Sequence, residues 1–213
     1  IIRAIDNMIV SIDVKLNVSI VRKNEKDYDE IIRLTRQLDI PAEVNSYMFP
    51  LSRPECGSLR NIPAERLDAD KAARIEMQYV EYKKGNDMAR YMHNLKYTLA
   101  RVEGTQACSL ECRAAKSSCW INWQGILTPC VMMDQPAVDL KKIPMTTAWQ
   151  QLLEEAKELV SHTECEGCHL RPVCNVCYAA AHCEKTITGN MDYLCQMAKA
   201  KERIITNYPP VIH

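Results

Sequence analysis

The sequence predicts an α/β unit at its N-terminal end, followed by an α+β unit built around cysteines. Three observations carry this. Apolar residues alternate strictly over Ile12, Val14, Leu16, Val18 and Ile20, which is the period of a strand. Tyr28, Ile31, Ile32 and Leu38 then follow at roughly helical spacing, and Ala42 to Phe49 reads as a second short strand closed by Pro50. Beyond Gly104 the character changes, with ten of the eleven cysteines in the remainder of the chain.

Strand, helix and strand with short joints make the parallel crossover unit. Two strands and one helix cannot cover their own surfaces as an independent parallel sheet. The segment is therefore expected to be the tail of a larger barrel or open sheet, and the chain a fragment. Asn24 is placed to cap the first helix, of about fourteen residues. Residues 51 to 63 (LSRPECGSLRNIP) hold turn and breaker residues and read as a linker. Asp68 can cap a helix running to about Lys84, and a second helix is expected from Asp87 to Val102. Further helices are expected from Thr146 to Val160 and from Asp192 to Thr206, the last carrying Cys195. There is no internal repeat and no low-complexity tract.

Composition narrows the function classes. The 213 residues are 47% hydrophobic and 25% charged, with a formal net charge of zero. That balance gives no electrostatic footprint for nucleic acid or for a polybasic membrane anchor. No stretch approaches the roughly eighteen apolar residues of a membrane helix, and no signal peptide is visible. The chain reads as cytoplasmic, where thiols stay reduced, so its cysteines point to metal rather than to disulfides.

The cysteines fall into two groups. The first, CSLECRAAKSSCWINWQGILTPC, holds Cys108, Cys112, Cys119 and Cys130. Its CWINWQGILTPC portion reads as a β-hairpin turning at Gln124-Gly125, which returns Cys119 and Cys130 to one place. Trp120 and Trp123 are expected to provide the hairpin's apolar cover. The second group, CEGCHLRPVCNVC, holds Cys165, Cys168, Cys174 and Cys177, followed by Cys183 and Cys195. A two-residue spacer lets both sulfurs of a pair address one metal centre while backbone amides donate to them. Eight of these cysteines make two four-thiolate sites, leaving Cys56, Cys108 and Cys183 as ordinary thiols. Zinc is the alternative. Paired zinc knuckles usually stand twelve or so residues apart, whereas only five residues separate Cys168 from Cys174. One zinc bound by both pairs would be cramped, though two zincs with interleaved ligands would not. His162, His169 and His182 read as surface histidines, and Glu154, Glu155 and Glu158 as the solvated face of a helix.

The pattern C-x12-G-x4-C (Cys112, Gly125, Cys130), then C-x2-C-x5-C-x2-C (Cys165 to Cys177), then Cys195, resembles the SPASM domain. That domain is the auxiliary-cluster extension of radical S-adenosylmethionine enzymes, many of which modify peptides or proteins. The resemblance is close over about residues 105 to 200 and looser over residues 1 to 50. It implies three parts. Residues 1–55 would be the last βα units of a partial TIM-type (β/α)6 barrel, and residues 56–104 a helical linker. Residues 105–213 would be a SPASM domain with a β-hairpin and cluster-binding loops.

It further implies two auxiliary 4Fe–4S clusters, one on Cys112, Cys119, Cys130 and Cys177, the other on Cys165, Cys168, Cys174 and Cys195. Cys177 would cross between the groups. The family's usual spacer in the last pair is three residues rather than two, which leaves Cys183 as a substitute. Cys108 could replace Cys119, or the first cluster could keep an open iron. The catalytic triplet C-x3-C-x2-C of the family does not occur in this sequence. The resemblance therefore places S-adenosylmethionine and a third cluster in a longer parent enzyme, and the fragment alone is expected to be inactive. Asn17 and Ser19 are candidates for cofactor contacts. The implied partners are a peptide or protein substrate and an electron donor such as flavodoxin or ferredoxin, with no nucleic acid and no membrane. Two alternatives stand beside this reading. One is a free-standing iron–sulfur electron-transfer module, which would not need the α/β segment. The other is a zinc-binding interaction module, which metal analysis separates.

Overall fold

The computed structural model describes residues 13–50, 62–101, 110, 112–159, 165–174 and 176–209. Strands β1 (Leu16–Ser19) and β2 (Ala42–Asn45) pair in parallel, Leu16 opposite Ala42 and Ser19 opposite Asn45. Helix α1 (Tyr28–Gln37) crosses between them. Strand β1 is shorter than the alternation predicts, and the part expected before Asp13 lies outside the described residues. Asn24 precedes a 3-10 turn, Glu25–Asp27, and makes no side-chain cap bond there. Instead its amide donates to the Ser19 carbonyl at 3.0 Å and its Oδ1 accepts from Val21 N–H at 2.8 Å. It staples the strand-to-helix loop, an alternative open to an Asn side chain beside free backbone groups.

One face of the β1–β2 pair is apolar. Val18, Ile20 and Val44 pack with Tyr28 and Ile32 of α1, and with Ala69, Ala72, Ile75 and Tyr79 of α2 (Ala69–Lys84). Met197, from the last helix of the described chain, closes the same cluster. Helix α2 starts where the Asp68 carboxylate accepts from Lys71 N–H at 2.9 Å, and ends at Gly85, whose φ of +48° suits glycine. After that turn, α3 (Met88–Leu99) buries Met88 and Met92. These meet Leu170, Val173, Ala198 and Ile205 in a second cluster.

The hairpin forms as its sequence predicts. Strands β3 (Trp120–Ile121) and β4 (Ile126–Thr128) are antiparallel, and β5 (Val138–Asp139) adds to β4. Asn122 holds the turn, its Oδ1 accepting from Gln124 and Ile126 N–H at 2.9 Å each, while Gly125 takes φ +80°. Leu127 and Val138 pack on Ala148 and Leu152 of α4 (Met145–Lys157). Two helices end the described chain: α5 (Tyr178–Thr188), which the sequence reading did not anticipate, and α6 (Asp192–Thr206). α2 and α6 lie against each other, Met197 packing with Ala69 and Ala72 in the first cluster and Ala198 with Met77 in the second.

Candidate metal centres

The second cysteine group is built from tight turns. Cys168 N–H reaches the Cys165 carbonyl at 3.4 Å, with Gly167 between them at φ +67°, a conformation other residues adopt at a cost. Arg171 N–H then bonds the Cys168 carbonyl at 3.2 Å, and Cys174 N–H the Leu170 carbonyl at 2.9 Å. These turns drive Leu170 and Val173 into the core and leave Cys168 and Cys174 half-buried at its margin. Cys195 comes from a different element, the first turn of α6, three residues before Ala198 of the same cluster.

Electrostatics link these three thiols. Burial pushes Cys195 above the usual thiol range, and the neighbouring Cys174 and Cys168 push it further in the same direction. Burial also pushes Cys174 up, with Cys168 adding to it. A hydrogen bond from the Val176 backbone and the charges of Lys201 and Arg171 work the other way. Cys168, Cys174 and Cys195 thus lie within one another's electrostatic reach. Cys165 stands one turn away from Cys168, half-buried.

Cys130 of the first group borders a different apolar cluster, made of Leu110, Ala114, Ala115, Met133, Ala156 and Ala179. Cys130 packs against it directly, Cys112 precedes Ala114 by two residues, and Cys177 immediately precedes Tyr178, which also packs there. Cys119 sits at the base of the hairpin against Leu127 and Val138, next to the paired Trp120 and Thr128. The hairpin therefore holds Cys119 and Cys130 at its open end.

A local motif recurs across both groups. Ala114 N–H donates to Cys112 Sγ at 3.4 Å, Met132 N–H to Cys130 Sγ at 3.5 Å, and Ala180 N–H to Cys177 Sγ at 3.4 Å. Cys174 receives its bond from the Val176 backbone. In each case the donor lies two or three residues on. Such N–H donors stabilise negative charge on sulfur, the form in which cysteine binds a metal. For Cys177 the same bond caps the N-terminus of α5. All nine described cysteines are free thiols.

The remaining candidates separate clearly. Cys183 is fully buried on α5 and donates to the Met132 carbonyl at 3.2 Å, close to the Cys130 turn. Cys56, Cys108 and His162 lie outside the described residues. His169 faces Glu202 at 3.2 Å, and His182 stacks on Tyr178. Glu154 and Glu155 are exposed on α4, and Glu158 is exposed just past its C-terminal end. The tryptophans depart from expectation: Trp120 is 42% and Trp123 78% exposed, so neither covers the hairpin. Leu127 and Val138, backed by α4, supply that cover instead.

Asn17 and Ser19 lie on the exposed face of β1, level with Glu43 and Asn45 of β2. This polar face turns away from the helices. Beside it a groove of about 570 Å³ runs from Glu43 to Tyr47 along β2 and is walled by Glu76, Tyr79, Val80 and Lys83 of α2. Tyr47 and Glu76 also line a smaller cavity of about 100 Å³ that reaches Cys174 and Lys201.

Among the described residues, no three Cys, His, Asp or Glu side chains form a group closed around a single metal ion. No described helix is long and apolar enough to cross a membrane. Comparisons of the chain with protein-family models, curated proteins and solved structures give no match.

Proposed function

We propose that the chain is the C-terminal part of a radical S-adenosylmethionine enzyme of the SPASM type that carries two auxiliary 4Fe–4S clusters. The first would be held by Cys112, Cys119, Cys130 and Cys177, and the second by Cys165, Cys168, Cys174 and Cys195. The observation that carries this reading is the nearness of Cys195, exposed on the first turn of α6, to Cys168 and Cys174 at the margin of the second core. The donor chemistry fits as well. The sites are all-cysteine, and four of the eight sulfurs have a backbone N–H donor in place.

Clusters of this kind, when bound, supply one-electron transfer at potentials set by hydrogen bonds to sulfur, burial and nearby charge. The chain's own residues provide those settings. Backbone amides at Ala114, Met132, Val176 and Ala180 stabilise thiolate charge, and the two cores back Cys130, Cys168 and Cys174. Cys177, at the start of α5, ties the second cysteine loop to the first site. Asn17 and Ser19, on the open polar face of β1, remain the proposed cofactor contacts, and the groove along β2 shares its walls at Tyr47 and Glu76 with the cavity at Cys174. The substrate class that suits this arrangement is a peptide or protein side chain brought to that polar face.

Anaerobic purification followed by iron, sulfide and zinc analysis tests the proposal. About eight irons and eight sulfides per chain, with a broad absorption near 400 nm, are expected for two such clusters. About two zincs with no sulfide and no visible band would reject it in favour of a structural zinc module.

A further inference from the structure

Strand β2 has an outer edge that no strand pairs among the described residues. Leu16 N–H bonds the Pro41 carbonyl and Ile20 N–H the Asn45 carbonyl, each at 2.9 Å, so the odd-numbered residues of β2 face β1. The even-numbered ones face the other way. On that side the Ala42 carbonyl accepts from the Tyr79 hydroxyl of α2. The Val44 N–H and C=O, and the Ser46 N–H two residues on, have no partner among the described residues. Val44 is 7% exposed, and backbone groups in such a place are almost always paired.

Beside this edge lies the groove of about 570 Å³. Consecutive residues from Glu43 to Tyr47 line it, from both faces of the strand, as happens along an edge and not along one face. Its far wall is α2, with Tyr91 of α3. Five residues of strand span about 16 Å, the length of a short extended peptide. The charges of the wall also have a sign. Glu43 pairs with Lys15, just before β1, and Glu76 with Lys201 of α6, so both carboxylates are answered from outside the groove. Lys83 and Lys84 have no carboxylate at ion-pair distance among the described residues, and Lys83 acts on Glu43 only at longer range, behind Lys15. Their ammonium groups lie 5.5 Å and 5.0 Å from the ring centroids of Tyr79 and Tyr91. Two cations are left for an occupant.

We propose that the outer edge of β2 docks an extended peptide carrying acidic side chains, which adds a strand beside Val44 and places carboxylates at Lys83 and Lys84. Only another extended backbone offers donors and acceptors in the alternation that a strand edge presents. An added strand draws affinity from those bonds and selectivity from its side chains. An open edge also invites unspecific pairing, and the two lysines beside it favour one kind of partner over others. The inference stands on the edge and the groove and needs neither cluster.

The test is a titration of the isotope-labelled protein with a peptide of about six residues alternating threonine and glutamate, read by amide NMR and hydrogen exchange. Pairing is expected to shift the Val44 and Ser46 amides and to slow their exchange about tenfold at saturation. Glu43 and Asn45, already bonded to β1, should not change. Equal slowing at Glu43 and Asn45, or none at Val44, overturns the edge pairing. A threonine–lysine peptide should bind about tenfold more weakly. The Lys83→Glu/Lys84→Glu variant, altered only at exposed side chains ending α2, should reverse that preference. Equal affinity of the two peptides for the wild-type protein overturns the acidic partner, and no binding of either at millimolar concentration overturns the proposal outright. A protein that pairs with the peptide in this way yet holds no iron or sulfide keeps this inference and rejects the clusters.

Discussion

Glu184 is fully buried, and three groups converge on its carboxylate. Arg66 Nη1 approaches Oε1 at 2.5 Å, the Tyr47 hydroxyl donates to the same oxygen at 2.9 Å, and the Thr188 hydroxyl lies 3.4 Å from Oε2. The Arg66 guanidinium in turn lies 3.7 Å from the centroid of the Tyr193 ring, which stacks on Tyr47. Burial first, and the Glu184 carboxylate second, push the Tyr47 hydroxyl far above its usual range, so it remains a donor at every working pH. The network joins the segment after β2, the turn before α2, and helix α5. Breaking such a pair strands the surviving charge, so Glu184→Ala is expected to cost about 3–5 kcal/mol. Replacing both partners, Arg66→Met with Glu184→Leu, should recover much of that loss, because no charge is then left stranded. Urea unfolding of the single and double variants measures it; costs that simply add would show that the pair is not coupled.

Elements differ in how openly the sequence announces them. α2 begins at its predicted Asp68 cap, where a side-chain cap and a regular apolar period coincide, and the bounds of α6 match expectation from Asp192 to Thr206 although Met191 before it makes no side-chain cap bond. The hairpin is legible as well, with Gly125 where a positive φ is required. Helix α5 was hidden because its Tyr-Ala-Ala-Ala-His-Cys stretch sits between cysteines and reads as ligand spacing. Its three alanines, strong helix formers, all face the core. The exposure of Trp120 and Trp123 was not legible either, since only tertiary packing shows that α4 covers the opposite face. For the candidate sites, spacing pairs Cys165 with Cys168 and Cys174 with Cys177, but the nearness of Cys174 and Cys195 to Cys168 depends on the turns between residues 168 and 174 and on how α6 lies. Cys177 tests the element scale directly, being both N-cap of α5 and proposed ligand. Cys177→Ser keeps an oxygen acceptor for Ala180 N–H, so metal-free thermal stability should hold while iron content falls. Cys177→Ala should lose iron and also about 1 kcal/mol of metal-free stability. If serine and alanine destabilise the metal-free protein equally, the cap has no energetic role.

At the scale of the whole chain, α6 connects features that lie far apart in sequence. Its first turn carries Cys195, Met197 enters the core of the β1–β2 unit, and Ala198 and Ile205 enter the core under the second cysteine group. Further along, Lys201 pairs with Glu76 of α2, and Arg203 reaches Asp70 of the same helix. A constraint applied at Cys195 therefore cannot stay within the cysteine loop. Filling the second site would fix the start of α6 against residues 165–174, and α2 would be held through its packing against Met197 and Ala198 and through the Lys201–Glu76 pair. Local opening of both helices should then become rarer together, because a unit that opens cooperatively exchanges its amides at one common free energy. Hydrogen exchange of the iron-loaded and iron-free protein is expected to slow about tenfold across 69–84 and 192–206 on loading, equivalent to about 1.4 kcal/mol of local stability. Amides of α1, which touches neither helix through a charged pair, should change less. Protection confined to 165–177 would mean that the site is a local staple, and that the contact between α2 and α6 stands without it.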